Sequence, residues 1–143
     1  MDLKRPGNVL YRVEPAGTSL EQLAVAHRAM ARVIHSGKVV ACHDVSEGGW
    51  LVAAAEMCIA SGLGLLLEPD GRDFFDEPRG QYLIEVEGEE RDLAALAGGS
   101  ASLKFHRLGP VQHSPELVLH LDEQGVQMPV EQLTRAWRGP LDW

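Results

Sequence analysis

Residues 39–64, VVACHDVSEGGWLVAAAEMCIASGLG, decide how this chain is read. Lys38 to His43 is short, β-branched and apolar on both faces, which suits an interior strand. It runs through His43-Asp44-Val45-Ser46-Glu47-Gly48-Gly49 into a segment whose only charge is Glu56. That segment, about 48–61, is apolar nearly all round, and such a helix is covered on most of its sides. Gly62 ends it, and Leu63 to Leu67 reads as the next strand. Two glycines at a strand-to-helix joint let backbone come close to a phosphate, and a helix N-terminus presents free N–H groups. Yet Asp44 and Glu47 are negative, and the motif holds no Lys or Arg. A phosphate there needs a bridging Mg²⁺, with Asp44 as an oxygen ligand. The other reading is a packed joint, with Asp44 or Ser46 as N-cap and the glycines making the turn. The motif's own chemistry favours the packed joint, because a lysine-free glycine loop is a weak phosphate signal.

Upstream, Val9 to Val13 is a short extended segment between Pro6-Gly7 and Pro15-Ala16-Gly17. Thr18-x-x-Glu21 has the form of a capping box. Leu20, Leu23, Ala24, His27, Met30, Ala31 and Ile34 follow at three-to-four spacing, which predicts a helix over 19–36 with Gly37 as its stop. Downstream, PDGRDFFDEPRGQ, 69–81, is a loop with two aromatics. YLIEVE, 82–87, alternates as a half-exposed strand does. EERDLAALA, 89–97, is a short helix closed by Gly98-Gly99. SLKFHRLGPV and ELVLHLD are strands joined by a Pro-containing turn, DEQG is a tight turn, and Val130 to Arg138 is a short helix. Several strands adjoin through short turns. The fold class is therefore α/β (α+β), a mixed sheet with helices packed on it.

The chain has 143 residues, 45% apolar and 24% charged, with a formal net charge of −8. This fits one domain and one sizeable core. An acidic surface repels nucleic acid and anionic lipid, so neither is expected as a partner. No apolar run reaches membrane-spanning length, and a reducing cytoplasm is the default. Cys42 and Cys58 sit in apolar segments without Cys-x-x-Cys spacing, so they read as buried, inert thiols. The six histidines show no metal-ligand spacing. Ser46, His43 and Asp44 compose a triad only on paper, because neighbours on an extended chain point to opposite faces. Glu56, alone on an apolar helix, must find a partner or reach the helix edge. The acid and arginine of Phe74-Phe75-Asp76-Glu77-Pro78-Arg79-Gly80 either bind a polar ligand or belong to a solvated loop anchored by its aromatics, and the loop is favoured.

At ACHDVSEGGWLVAAAEM the chain resembles the C-terminal type of domain in the aminoimidazole ribonucleotide synthetase superfamily. Within it, the likeness is greatest to the last domain of the large subunit of the phosphoribosylformylglycinamidine synthases. The motifs that carry it are HD-x-S-[DE]-G-G, an Ala-rich helix with a glutamate (Glu56), Gly62-Leu63-Gly64, and Phe75-Asp76-Glu77-Pro78-Arg79-Gly80-Gln81. The opening DLKRPGNVLYRV and the closing QLTRAWRGPLDW are similar to the family as well. Thiamine-phosphate-kinase relatives, with an Asp-x-Ser-Asp-Gly form, stay in view.

The resemblance implies a whole enzyme that uses ATP, Mg²⁺ and glutamine to convert formylglycinamide ribonucleotide to formylglycinamidine ribonucleotide. It implies phosphate or ligand loop positions at Asp44, Ser46, Gly48, Gly49, Glu77 and Arg79, with Asp44 matching a Mg²⁺ ligand of the family's first copy. Pro78 and Arg79 stand where that copy has the Ser and Gln of its substrate-meeting motif, a departure from the family's pattern. The family's Leu-Gly-Gly-Ser turn between Tyr11 and Leu20 is missing, as is an ATP-type domain. The expectation is a lead-in over 1–17 and a C-terminal-type domain over 18–143, structural and inactive alone, with no catalytic residue and no cofactor of its own. Its expected partners are the ATP-type N-terminal domain of the same enzyme, the glutaminase subunit and a homodimer mate. The alternatives are a diverged, non-catalytic interaction module and a fragment of a thiamine-phosphate-kinase-like protein.

Overall fold

The computed structural model describes residues 1–87, 93–98, 101–121 and 124–139. The elements run β1 (Val9–Pro15), α1 (Leu20–His35), β2 (Val39–Asp44), α2 (Gly49–Ser61), β3 (Gly64–Leu67), β4 (Tyr82–Val86), α3 (Leu93–Leu96), β5 (Leu103–Gln112), β6 (Glu116–Leu121), β7 (Gln124–Pro129) and α4 (Val130–Arg138). Seven strands form one sheet in the order β2-β4-β1-β5-β3-β6-β7. The β3–β6 pair is parallel and the other pairs are antiparallel, so the sheet is mixed, as expected.

The segment read as a lead-in supplies the strand between β4 and β5. Alternation along β1 explains why it sits there. Val9, Tyr11 and Val13 enter a core shared with α1, while Leu10 enters a second core shared with α2. β4 does the same, with Ile84 and Val86 toward α1 and Leu83 toward α2. β4 is therefore buried from Leu83 to Val86 rather than half exposed, and Glu87 after it is exposed. Its apparent polar face is Glu85, which is 0% exposed. The Glu85 carboxylate accepts hydrogen bonds from the Lys4 and Arg5 amides (2.7 and 3.1 Å) and from Asn8 Nδ2 (2.6 Å). A buried charge held by three donors is tolerated where a bare one is not.

Three local expectations move. The α1 capping box is Ser19 with Gln22, one residue beyond Thr18 and Glu21. The buried stripe of α1 is Ala26, Ala29, Met30 and Val33, and Leu20 is 84% exposed. Small alanines at the contact let the helix lie close on the sheet, which turns the larger apolar side chains outward. β2 is an edge strand, not an interior one. Its apolar character comes from α1 and α2, which pack against it. The sequence also hides β7: no strand is expected between the DEQG turn and the helix at Val130, yet Gln124–Pro129 pairs with β6 from Leu121↔Gln124 to Glu116↔Pro129. Residues 88–92, 99–100, 122–123 and 140–143 lie outside the described residues. So do the start of the short helix expected at 89–97, Gly99, part of the DEQG turn and the PLDW ending.

Candidate functional site

β2 ends at Asp44 and α2 begins at Gly49, so the joint spans Val45 to Gly48. Gly48 is the N-cap, with φ +81° and no side-chain cap, and Gly49 follows at φ +74°. Neither Asp44 nor Ser46 caps the helix. Ser46 contributes only its carbonyl, which accepts from the Gly49 amide at 3.1 Å. The glycines do make the turn, and Gly49 is further constrained by space. A Cβ there would lie 2.6 Å from the Phe74 carbonyl oxygen.

The loop between β3 and β4 closes over this joint. Phe74 stacks edge-on against Trp50, with ring centroids 5.5 Å apart, and its carbonyl accepts from the Leu51 amide at 3.2 Å. Glu77 Oε1 accepts from the Gly48 amide at 2.8 Å. A carboxylate thus stands where a helix N-terminus attracts an anion. Arg79 is exposed on the same loop, and the Asp44 side chain is 72% exposed.

Glu56 finds its partner in His43, whose Nε2 lies 3.1 Å from Glu56 Oε2. His43 Nδ1 stands 2.7 Å from the Asp44 carbonyl oxygen. That oxygen can only accept, so Nδ1 carries a hydrogen. The Nε2–carboxylate contact lies within ion-pair distance but is not a well-formed hydrogen bond among the described residues. The pair borders a cleft of about 560 Å³ lined also by Ser46, Ile59, Trp137 and Arg138. Structure thus brings His43, Ser46 and Glu56 together on one side of α2, and Gly48, Gly49 and Glu77 together at its start.

Sequence reasoning missed a polar cluster on the α2 side of the sheet. Arg12 donates to Asp73 Oδ2 (2.5 Å) and pairs with Glu14 Oε1 (2.9 Å). Its guanidinium lies 5.8 Å from the Trp50 ring centroid. Gln81 Nε2 donates to Glu14 (3.1 Å), and His106 Nε2 lies 3.4 Å from Glu14 Oε2. Arg12 Nε, Trp50 Nε1, Gln81 Oε1 and His106 Nε2 are buried without a well-formed hydrogen bond among the described residues. Burial alone would raise the Asp73 carboxyl, but the Arg12 hydrogen bond and charge hold it below the ordinary carboxylate value. The visible signal was Arg12 and Glu14 inside the strand VLYRVEP. Among the described residues no group of three His, Cys, Asp or Glu side chains could hold a metal ion. No helix there is long and apolar enough to cross a membrane.

A mixed sheet flanked by helices, with a double-glycine strand-to-helix joint closed by a carboxylate from a distant loop, defines an α+β domain. Residues 18–121 match the family described as AIR synthase related protein, C-terminal domain. The chain belongs to that family. It is 36% identical over 110 residues to the phosphoribosylformylglycinamidine synthase subunit PurL of Brucella ovis, and equally to that of Brucella abortus. Those matches cover 74% of this chain and 14% of the relative, so the chain spans about one seventh of their length. Among solved structures, phosphoribosylformylglycinamidine synthase II of Thermotoga maritima superposes with a TM-score of 0.78 at 17% identity. It covers 93% of this chain and 27% of that one. The hydrogenase maturation protein HypE of E. coli superposes at 0.67 with 15% identity, over 91% of this chain and 53% of that one.

Proposed function

We propose that this chain is the last C-terminal-type domain of a PurL-type polypeptide, a structural unit that is inactive alone. The observation that carries the reading is Glu77 seated on the Gly48 amide, which fills the anion position of the joint with an internal acid. On this reading Gly48, Gly49 and Glu77 form a closed joint, with Asp44, Ser46 and Arg79 exposed around it, and the six are not a working phosphate loop. Asp44 does not fit a Mg²⁺ site of its own: it is exposed, His43 is the imidazole beside it, and among the described residues no group of three acids or imidazoles gathers there. ATP and Mg²⁺ belong to the rest of the enzyme; T. maritima PurL is known complexed with ATP. The whole enzyme would make formylglycinamidine ribonucleotide from formylglycinamide ribonucleotide, ATP and glutamine in the cytoplasm. Its ATP-type N-terminal domain and glutaminase subunit are the partners; the PurLQS assembly of T. maritima supports such a complex. Residues 1–17 belong to the same folding unit as the remainder.

The test has two arms. The purified chain, given ATP, Mg²⁺, glutamine and formylglycinamide ribonucleotide, is expected to release no ADP above background. The same 143 residues, placed in frame for the matching region of B. abortus PurL, are expected to preserve most of that enzyme's turnover. ATP consumption by the chain alone, or a folded chimera without turnover, overturns the reading.

A further inference from the structure

We propose that Asp70–Gly71, in the loop between β3 and β4, is a site of covalent self-modification. Asp70 converts to isoaspartate in the folded protein, and the longer backbone loosens the loop that caps α2. The inference does not depend on the functional reading above. In the first step the Gly71 backbone nitrogen attacks Cγ of Asp70, whose carboxyl has taken a proton. A C–N bond forms, the carboxyl OH and the amide hydrogen leave as water, and a five-membered succinimide remains. Water then adds at one of the two ring carbonyls and breaks one C–N bond. Attack at the side-chain carbonyl returns aspartate. Attack at the backbone carbonyl leaves Gly71 joined through the side-chain carbon, which lengthens the backbone by one methylene. Nothing is oxidised or reduced, and water is the only co-reactant.

Sequence and structure meet at this dipeptide. Asp70 is the one Asp or Asn in the chain that a glycine follows. Glycine has no Cβ to shield its nitrogen and reaches the backbone conformations that ring closure needs. Asp70 and Gly71 are both exposed and lie outside helix and strand. Among the described residues neither the Asp70 carboxylate nor the Gly71 amide has a hydrogen-bond or ion-pair partner, so the nitrogen is free to attack. Asn8, by contrast, is buried and donates to Glu85, and Asp44 ends β2 ahead of Val45. The loop is pinned on both sides of the dipeptide. The Glu68 amide donates to the Leu108 carbonyl at 2.7 Å, and Arg12 donates to Asp73 at 2.5 Å. The span between the pins is tight: a Cβ on Gly71 would lie 3.0 Å from Asp73 Oδ1. An added methylene must displace one pin. Glu68 continues β3, whereas Asp73 is held by an ion pair whose carboxylate is 41% exposed, so Asp73 gives way. The Phe74 carbonyl on the Leu51 amide and the Glu77 carboxylate on the Gly48 amide lie directly downstream.

The experiment holds the full chain at neutral pH for several weeks beside the free peptide of residues 69–74. Mass spectrometry with electron-transfer fragmentation separates aspartate from isoaspartate at each position. Isoaspartate is expected at position 70 of the folded chain, forming within about fivefold of the peptide's rate because the loop leaves the dipeptide free. A slower rate in the folded chain, or as much isoaspartate at Asp44 or Asp76, overturns the assignment. Asp70 is exposed, so variants there are expected to fold, and thermal melts check it. Asp70→Asn loses ammonia in place of water and should react about tenfold faster or more, gaining one mass unit. Gly71→Ala shields the nitrogen and should react about tenfold slower. An unchanged rate in either variant also overturns it. The structural consequence is read by amide hydrogen exchange on fully aged Asp70→Asn. The reference is equally aged Asp70→Glu, whose side chain would have to close a six-membered ring and stays intact. Exchange at the Gly48 and Leu51 amides is expected to rise about tenfold. The Gly62 amide, bonded to the Cys58 carbonyl at the far end of α2, should stay within about twofold of the reference. Unchanged exchange at Gly48 and Leu51, or an equal rise at Gly62, would show that the modification does not release this loop and would sink the proposal.

Discussion

The Glu77 carboxylate and the Gly48 amide, 29 positions apart in sequence, meet at 2.8 Å and join the β3–β4 loop to the start of α2. Gly48 has no side chain with which to cap its own helix, so the loop supplies the acceptor. Replacing Glu77 with Ala is expected to cost about 1 kcal/mol in urea unfolding, the usual worth of a lost N-cap acceptor. The freed amide becomes an anion site, so sulfate should raise the melting temperature of the variant more than that of wild type. Equal response to sulfate in both proteins would show that the carboxylate does not occupy the anion position.

Gly49 and Gly37 provide a matched comparison. Both have positive φ, +74° and +78°. A Cβ on Gly37 meets nothing within 4 Å, whereas one on Gly49 meets Phe74 and Phe75 backbone at 2.6–2.7 Å. Gly37→Ala therefore carries only the left-handed backbone cost, about 1–2 kcal/mol. Gly49→Ala adds a backbone clash and is expected to exceed about 3 kcal/mol or to abolish folding. Similar denaturation midpoints for the two variants would contradict the close approach of the loop.

These two cases also show how much could be read in advance. The mixed fold, α1, α2 and the glycine joint were legible because helical period, strand composition and Gly punctuation are local signals. The cap of that joint was not, because its acceptor comes from Glu77 in a distant loop. Glu85 misled for a related reason: alternation marks a residue as polar, not as exposed, and its donors lie in residues 4–8. Arg12 and His106 face each other across β1 and β5, a pairing that strand register alone reveals. β7 was invisible because glycine, glutamine and proline carry weak strand signals, and its partner β6 selects the conformation.

Asp73 anchors its loop through Arg12, and its carboxyl is held below the ordinary value of 3.8. A depressed carboxyl contributes stability above the unfolded pKa and loses it as pH falls through the folded one. The difference between wild type and Asp73→Asn is expected to be about 1 kcal/mol near pH 7, kept small by the half-exposed carboxylate. It should stay constant down to about pH 5 and close only as pH drops below 3.8. Urea titrations of both proteins from pH 7 to 3 decide it; a gap that closes above pH 5 assigns the stabilisation to another group.

Burial pushes the Cys42 thiol up to about 11 and the Cys58 thiol up to about 12. Thiolate is the reactive form, so both should be nearly inert toward a disulfide reagent at pH 8. Labelling is expected to be at least a hundredfold slower in buffer than in denaturant. Rapid stoichiometric labelling of folded protein at Cys42 would place that thiol in a different environment.

The opening residues hold the sheet together rather than leading into it. β1 lies between β4 and β5, and the Lys4 and Arg5 amides with Asn8 neutralise the demand of the buried Glu85 carboxylate. A chain beginning at residue 18 would lose that central strand and leave Glu85 without its three donors. It is expected not to fold cooperatively. Glu85→Gln, in the full chain, keeps one acceptor oxygen but turns an amide group toward donors, and should cost about 2–3 kcal/mol. Glu85→Leu removes every acceptor, orphans the Asn8 amide and two backbone N–H groups, and should cost more than Glu85→Gln. The order wild type, Gln, Leu in denaturation midpoints checks the network. A Leu variant as stable as wild type would mean that the seating of the opening segment does not depend on Glu85.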